Sequence, residues 1–287
     1  MGSHQVIGID IGGSHITAGI VDLKTRKLVN NSLIRTHVNS KGSAEEILDA
    51  WVKVIEQLFS TFPLIQQKIG IAMPGPFNYE AGICLIKDVD KFESLFNLNI
   101  KKLLAEKLQI ADSDILMMND ASCFLKGEVF GGAAVNCDNV IGITLGTGLG
   151  SARFHSGQTF EGDLYFSPFK DGVAEDYISN RWFLKRYKET TGRTVKNVKE
   201  LSEKIEAEPQ IKKLFDEFGK NLGKVLFGYA KEYPCETIII GGNITNAWDL
   251  FILETKDILN TLPKKVEIRK AGFGEEGALI GAASLWN

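Results

Sequence analysis

Short unbroken apolar runs alternate along the chain with longer stretches in which apolar residues recur three or four apart. The runs read as strands buried on both faces, the longer stretches as helices with one apolar face. Ile7-Gly8-Ile9-Asp10-Ile11 is the first run. It breaks at Gly12-Gly13-Ser14 and resumes as a strand through Thr17-Ala18-Gly19-Ile20-Val21. Leu33-Ile34-Arg35-Thr36-His37-Val38 predicts another strand. Ser43 stands three residues before Glu46, a capping-box start, and Ile47, Leu48, Trp51, Val54, Ile55 and Leu58 trace one helix face that Pro63 closes. Lys68-Ile69-Gly70-Ile71-Ala72-Met73 predicts a strand that ends in the turn Pro74-Gly75-Pro76. A short helix over 100–108 and a strand over 115–118 follow. Asn119-Asp120-Ala121-Ser122 then opens a helix through Phe124, Leu125, Val129 and Phe130.

The second part repeats the opening pattern. Val140-Ile141-Gly142-Ile143-Thr144-Leu145 leads into Gly146-Thr147-Gly148-Leu149-Gly150, and Ser151-Ala152-Arg153-Phe154 resumes as a strand. Because a strand and not a helix follows, this is no dinucleotide fingerprint. Residues Ile211, Leu214, Phe215, Phe218, Leu222, Val225, Leu226 and Tyr229 mark an amphipathic helix. A third glycine turn, Gly241-Gly242-Asn243, ends the run Thr237-Ile238-Ile239-Ile240. Strand, glycine turn, strand in each half predicts two related domains facing one nucleotide.

Each of these sites has two readings. Glycines in a hairpin let backbone N–H groups approach phosphate oxygens, with Asp10 facing the accompanying cation; they can equally serve the turn alone. Pro74-Gly75-Pro76 either lines a cleft at a strand's carboxyl end or simply turns the chain. Asp120 either caps its helix or projects as a general base.

Composition narrows the partners. At 287 residues the chain exceeds the usual single domain, and its net charge of −3 gives no basic field to draw nucleic acid or a membrane surface. No apolar run approaches the ~20 residues a membrane span needs, and the opening residues lack a basic-then-apolar secretory pattern. Cys84, Cys123, Cys137 and Cys235 lie far apart with no C-x-x-C pair, which predicts reduced thiols in a cytoplasmic protein. His37 and His155 have no ligand-spaced partners.

Taken in order, D-I-G-G-S, P-G-P, N-D-A, L-G-T-G-L-G and I-I-G-G resemble the ROK family of bacterial sugar kinases, within the actin-like, hexokinase and Hsp70 ATPase superfamily. The resemblance runs to the closing Gly274-Glu275-Glu276-Gly277-Ala278-Leu279-Ile280-Gly281-Ala282-Ala283. It implies an α/β fold of two actin-like (ribonuclease H-like) domains with mixed sheets flanking a nucleotide and sugar cleft. The domains would be 1–118, with 275–287 packing back on it, and 119–274. It further implies ATP-dependent phosphorylation of a hexose or related sugar, with magnesium. Asp10, Gly12, Gly13, Ser14, Gly146, Thr147, Gly148 and Gly150 would hold phosphates and the metal, and Gly241, Gly242 and Asn243 would lie near the adenosine. Asp120 would be the base, with Asn119, Pro74 and Gly75 at the sugar. A homodimer is a family-level expectation.

The sequence also departs from that family. Where many members carry G-E-x-G-H and a zinc-binding cysteine cluster, Gly162, Asp163 and Phe166 stand at the glycine, glutamate and histidine, and the cluster is missing. No zinc is expected. Glu175 matches a later sugar-contacting glutamate, with Asp163 a second candidate, while the usual asparagine before N-D-A has no clear counterpart around Lys87 to Lys91. His15 falls where relatives often carry lysine. The alternative function is a non-catalytic sugar or nucleotide sensor on the same scaffold. The family's repressors carry a DNA-binding segment ahead of the first strand, on which this sequence opens almost directly.

Overall fold

The computed structural model describes residues 4–62 and 66–287, so Pro63, expected to close the first helix, lies outside the described residues. The chain divides into two compact units: Met1–Val135 with Glu275–Asn287, and Asn136–Gly274.

In the first unit, β1 (Gln5–Ile11) and β2 (His15–Asp22) form the expected hairpin about the turn at Gly12 to Ser14. β3 (Lys27–Leu28) and β4 (Ile34–His37) both pair with β2. α1 (Ala44–Thr61) starts at the full capping box: the Glu46 N–H donates to the Ser43 hydroxyl, and the Ser43 N–H donates to the Glu46 carboxylate. Its apolar face, including Trp51, Ile55 and Leu58, is buried. After β5 (Ile69–Met73) come the small hairpin of β6 (Phe77–Asn78) and β7 (Ile83–Cys84), α2 (Ile100–Leu108), β8 (Ile115–Asn119) and α3 (Asp120–Gly131). The main sheet runs β3-β2-β1-β5-β8, with β1, β5 and β8 mutually parallel. Asp10 lies opposite Ala72, and Met73 opposite Asn119. This register brings the carboxyl ends of all three strands to one edge.

The second unit repeats the scheme. β9 (Asn139–Leu145) and β10 (Leu149–His155) form a hairpin, extended by β11 (Gln158–Glu161). A short pair, β12 (Pro168–Phe169) and β13 (Gly172–Val173), precedes α4 (Ala174–Tyr177), α5 (Asn180–Thr191), α6 (Val198–Glu203) and α7 (Gln210–Glu232). β14 (Thr237–Gly241), α8 (Trp248–Leu259) and β15 (Glu267–Lys270) complete it, in the sheet order β11-β10-β9-β14-β15. β14 is parallel to both its neighbours, as β5 is in the first sheet. The apolar face of α7 supplies Phe215 and Phe218 to the core, where Phe218 meets Phe183 at 4.6 Å and Phe251 at 5.2 Å between ring centroids.

The chain then returns to the first unit as α9 (Gly277–Ala283). This helix lies directly on β1, β5 and α3, close enough to require glycine. A Cβ on Gly70 would run into the Ala282 carbonyl, and one on Gly281 into the Cys123 carbonyl. Bare backbone surfaces on both sides let helix and sheet approach with no side chain between them. The Trp286 indole N–H closes the segment by donating to the Ile69 carbonyl at 3.0 Å.

Candidate functional site

The shared edge of β1, β5 and β8 gathers four of the predicted motifs in the first unit: Asp10 near the end of β1, the turn Gly12-Gly13-Ser14, Pro74-Gly75 beyond β5, and Asn119-Asp120 at the junction of β8 and α3. Ligands of open parallel sheets bind at such carboxyl ends.

The two readings of Asp120 separate on hydrogen bonding. The N-cap of α3 is Asn119, whose Oδ1 accepts the Ala121 N–H at 3.0 Å and the Ser122 N–H at 3.1 Å. Asp120 is the first helical residue, and its Oδ1 accepts the same Ala121 N–H at 2.8 Å. The helix start therefore has its cap without Asp120. The Asn119 amide donates in turn to the Tyr79 hydroxyl at 3.3 Å, and that hydroxyl donates to the Met73 carbonyl at 3.1 Å. Tyr79 thus ties the end of β5 to the start of α3.

Both acids at this edge hold a proton more tightly than an ordinary carboxylate. Burial, and after it the charge of Asp120, raises the Asp10 carboxyl from the ordinary range to about 7. Glu275 adds to that rise and Arg35 opposes it; these two pair with each other at 2.9 Å. Burial also raises Asp120, against the Ala121 N–H and the charge of Lys91. Clustered carboxylates with raised affinity for protons also favour a bound cation, which would relieve the same repulsion. Among the described residues no three His, Cys, Asp or Glu side chains form a ready metal cage. That donor set fits magnesium, which is held by one or two carboxylates together with phosphate oxygens and water.

Around the Gly12–Ser14 turn, the Gly12 N–H donates to the His15 carbonyl at 2.9 Å. Ser14 Oγ contacts His15 Nδ1 at 2.8 Å, and the His15 ring stands edge-on to His37 at 5.4 Å. Gly12, Gly13 and Ser14 are exposed.

The second unit carries the matching turn. The Gly146 N–H donates to the Gly148 carbonyl at 3.0 Å, and a Cβ on Gly146 would meet open space. Gly150 lies in the ladder opposite Thr144, outside the turn. Gly242, at φ 86°, lies against the backbone of Leu145 at the end of β9, where its Cβ would collide. Gly241 ends β14, and Asn243 opens a short 3-10 turn held by the Thr245 N–H and hydroxyl donating to the Gly242 carbonyl.

Glu175 has an unexpected partner. One carboxylate oxygen accepts the Leu149 N–H at 2.8 Å, immediately after Gly148, and the other pairs with Arg181. The carboxylate so fills the space beside Gly148 that a Cβ there would collide with it. Asp163 has a left-handed backbone, φ 51°, on a loop pinned to β10 by Gly162 and Leu164, which donate to the Ser151 carbonyl and hydroxyl. Phe166 and Tyr165 stand exposed on the same loop, edge to face at 4.9 Å.

Sequence reasoning passed over Tyr79, Arg35 and Glu275. Glu275 lies inside the recognised closing motif, but nothing local signals its pairing with Arg35. Lys91 fell within the segment noted for its missing asparagine.

The profile of the ROK family matches residues 6–166 and 169–287. An N-acetyl-D-glucosamine kinase of Pectobacterium carotovorum subsp. carotovorum (strain PC1) is 25% identical over 314 residues, covering 97% of each chain. A ROK family glucokinase from Streptomyces griseus, solved with glucose and AMPPNP, superposes with a TM-score of 0.80 at 22% identity, covering 98% of both chains. A ROK hexokinase from Thermus thermophilus gives 0.79 at 21% identity, over 97% of this chain and 96% of its own. These likenesses establish the actin-like α/β fold.

Proposed function

The chain belongs to the ROK family, and we propose that, as a sugar kinase of that family, it transfers the terminal phosphoryl group of ATP to a hydroxyl of a hexose or N-acetylated hexosamine. The observation that carries this reading is that the cap of α3 does not depend on Asp120. Asp120 sits at a strand end on a rigid helix start, while Asn119 performs the capping.

Asp120 would accept the proton of the attacking hydroxyl, with its carboxylate oriented by the Ala121 N–H. Asn119, Pro74 and Gly75 would face the sugar, with Tyr79 fixing their spacing. The turns at Gly12 to Ser14 and Gly146 to Gly148 would orient phosphate oxygens through backbone N–H groups, and Gly241 to Asn243 would lie toward the adenosine. Magnesium, when bound with the nucleotide, neutralises phosphate charge; Asp10 would be the side chain that holds it. Glu175 and Asp163 would contact sugar hydroxyls. Glu175 would also brace the phosphate turn through Leu149.

Support for an N-acetylated sugar comes from the relatives named N-acetyl-D-glucosamine kinase; glucose is the sugar in the Streptomyces complex. The alternative, a sensor without turnover, draws on the exposed Phe166, which offers a sugar no hydrogen bond.

A coupled ADP-release assay over glucose, mannose, N-acetylglucosamine and N-acetylmannosamine, with and without magnesium, tests the proposal. Magnesium-dependent, sugar-dependent turnover is the expected result. Saturable sugar binding without turnover on any member of the panel would establish the sensor instead.

A further inference from the structure

Segment 87–92 is unusual in its backbone. Asp88 (φ 59°), Asp90 (φ 59°) and Phe92 (φ 57°) are all left-handed, a conformation disfavoured for residues with a Cβ and kept only where surrounding contacts impose it. Those contacts are present. The Phe92 ring is fully buried, edge-on to Trp51 at 5.8 Å, and its N–H donates to the Ser40 carbonyl at 2.7 Å. The Asp90 N–H donates to Glu93 Oε1 at 3.0 Å, and its carboxylate pairs with Lys41.

Held between these two anchors, Lys91 is half-buried and lies across the Gly12–Ser14 turn. Its Cδ is 3.6 Å from the position a Cβ on Gly13 would occupy. Its charge is felt at Asp120. Among the described residues, no carboxylate forms an ion pair with it, although the neighbouring Asp90 pairs with Lys41. A cation fixed over a glycine turn and lacking a counter-ion of its own is suited to an anionic ligand at that turn.

We propose that Lys91 binds the terminal phosphate of the nucleotide at the Gly12–Ser14 turn; this rests on reading the site as a phosphoryl-transfer centre. In the transfer, the sugar oxygen forms a bond to phosphorus while Asp120 takes the hydroxyl proton. The bond from phosphorus to the bridging oxygen breaks, and ADP leaves with that electron pair. Lys91 keeps its protons throughout and donates hydrogen bonds to the non-bridging oxygens.

The test compares the affinity of AMPPNP with that of ADP by titration calorimetry in wild type, Lys91→Met and Lys91→Arg, alongside kcat and sugar KM. Lys91→Met should weaken AMPPNP by about tenfold, the size expected for one charge-assisted hydrogen bond, and leave ADP unchanged. Its kcat should fall while sugar KM holds, and Lys91→Arg should recover most of the AMPPNP affinity. Equal effects on AMPPNP and ADP, or none, overturn the assignment. So does a raised sugar KM with the AMPPNP-to-ADP ratio intact, which would place an acidic sugar substituent on Lys91 instead. A wild type that binds AMPPNP in this Lys91-dependent way but phosphorylates no sugar would refute the proposed activity and leave the Lys91 contact standing.

Discussion

Replacing Asp120 by asparagine isolates proton acceptance from every other task at the β8–α3 junction. Asparagine keeps the side chain's size and its oxygen for the Ala121 N–H, but it cannot take a proton. A general base contributes about 10²–10⁴ in rate, or about 2.7–5.5 kcal/mol at the transition state. The structural consequences are far smaller. The cap stays with Asn119, which alone accepts the Ser122 N–H and shares the Ala121 N–H with residue 120. Losing a negative charge in the first helical turn costs about 0.3–1 kcal/mol. Relief of its burial, which raises the Asp120 carboxyl, acts in the opposite direction. The melting temperature should therefore move by no more than about 4 °C. Asp10 should titrate lower than about 7, because the Asp120 charge is the second largest cause of its rise. Single-turnover phosphorylation, thermal melting and a carboxyl NMR titration on the same pair of proteins read all three. Turnover within about threefold of wild type would remove Asp120 from the chemistry, and a large loss of melting temperature would make it structural.

Three further outcomes follow from the same geometry. Asp10 binds its proton more tightly folded than unfolded, so its contribution to stability is complete below about pH 4 and lost as pH rises through about 7; melting temperature should fall more steeply between about pH 4 and 7 in wild type than in Asp10→Asn, and parallel curves would contradict the shift. Gly70→Ala should destabilise the first unit by about 1–3 kcal/mol, because the added methyl meets the Ala282 carbonyl; an unchanged melting temperature would mean that α9 yields freely. Glu175→Gln breaks the pair with Arg181 beside the Gly148 turn, so nucleotide affinity should fall by up to about tenfold together with sugar affinity; loss of sugar affinity alone would deny Glu175 its bracing role.

Where the interaction is local, the sequence reads directly into the structure. Ser43 and Glu46 are three residues apart and close their capping box within one turn of α1. The apolar runs became β1, β5, β8, β9 and β14, because a run of that length with no polar face can be satisfied only inside a sheet. The glycine turns at 12–13 and 146–148 fell between hairpin strands, since two strands so close in sequence pair before anything distant intervenes.

Other features depended on parts of the chain that sequence spacing cannot join. Whether Asp120 capped its helix was open until Asn119 was seen to take the Ala121 and Ser122 N–H groups; either residue type caps well. Glu175 reaches the Leu149 N–H across 26 positions. Arg35 meets Glu275 across 240, and Lys91 arrives over Gly13 because Phe92 is buried against Trp51. The helix opened by Asp120 joins the first unit because Gly281 lets α9 lie on its backbone. Periodicity records which face of an element is apolar; which distant backbone or charge covers that face is settled only when the elements pack together.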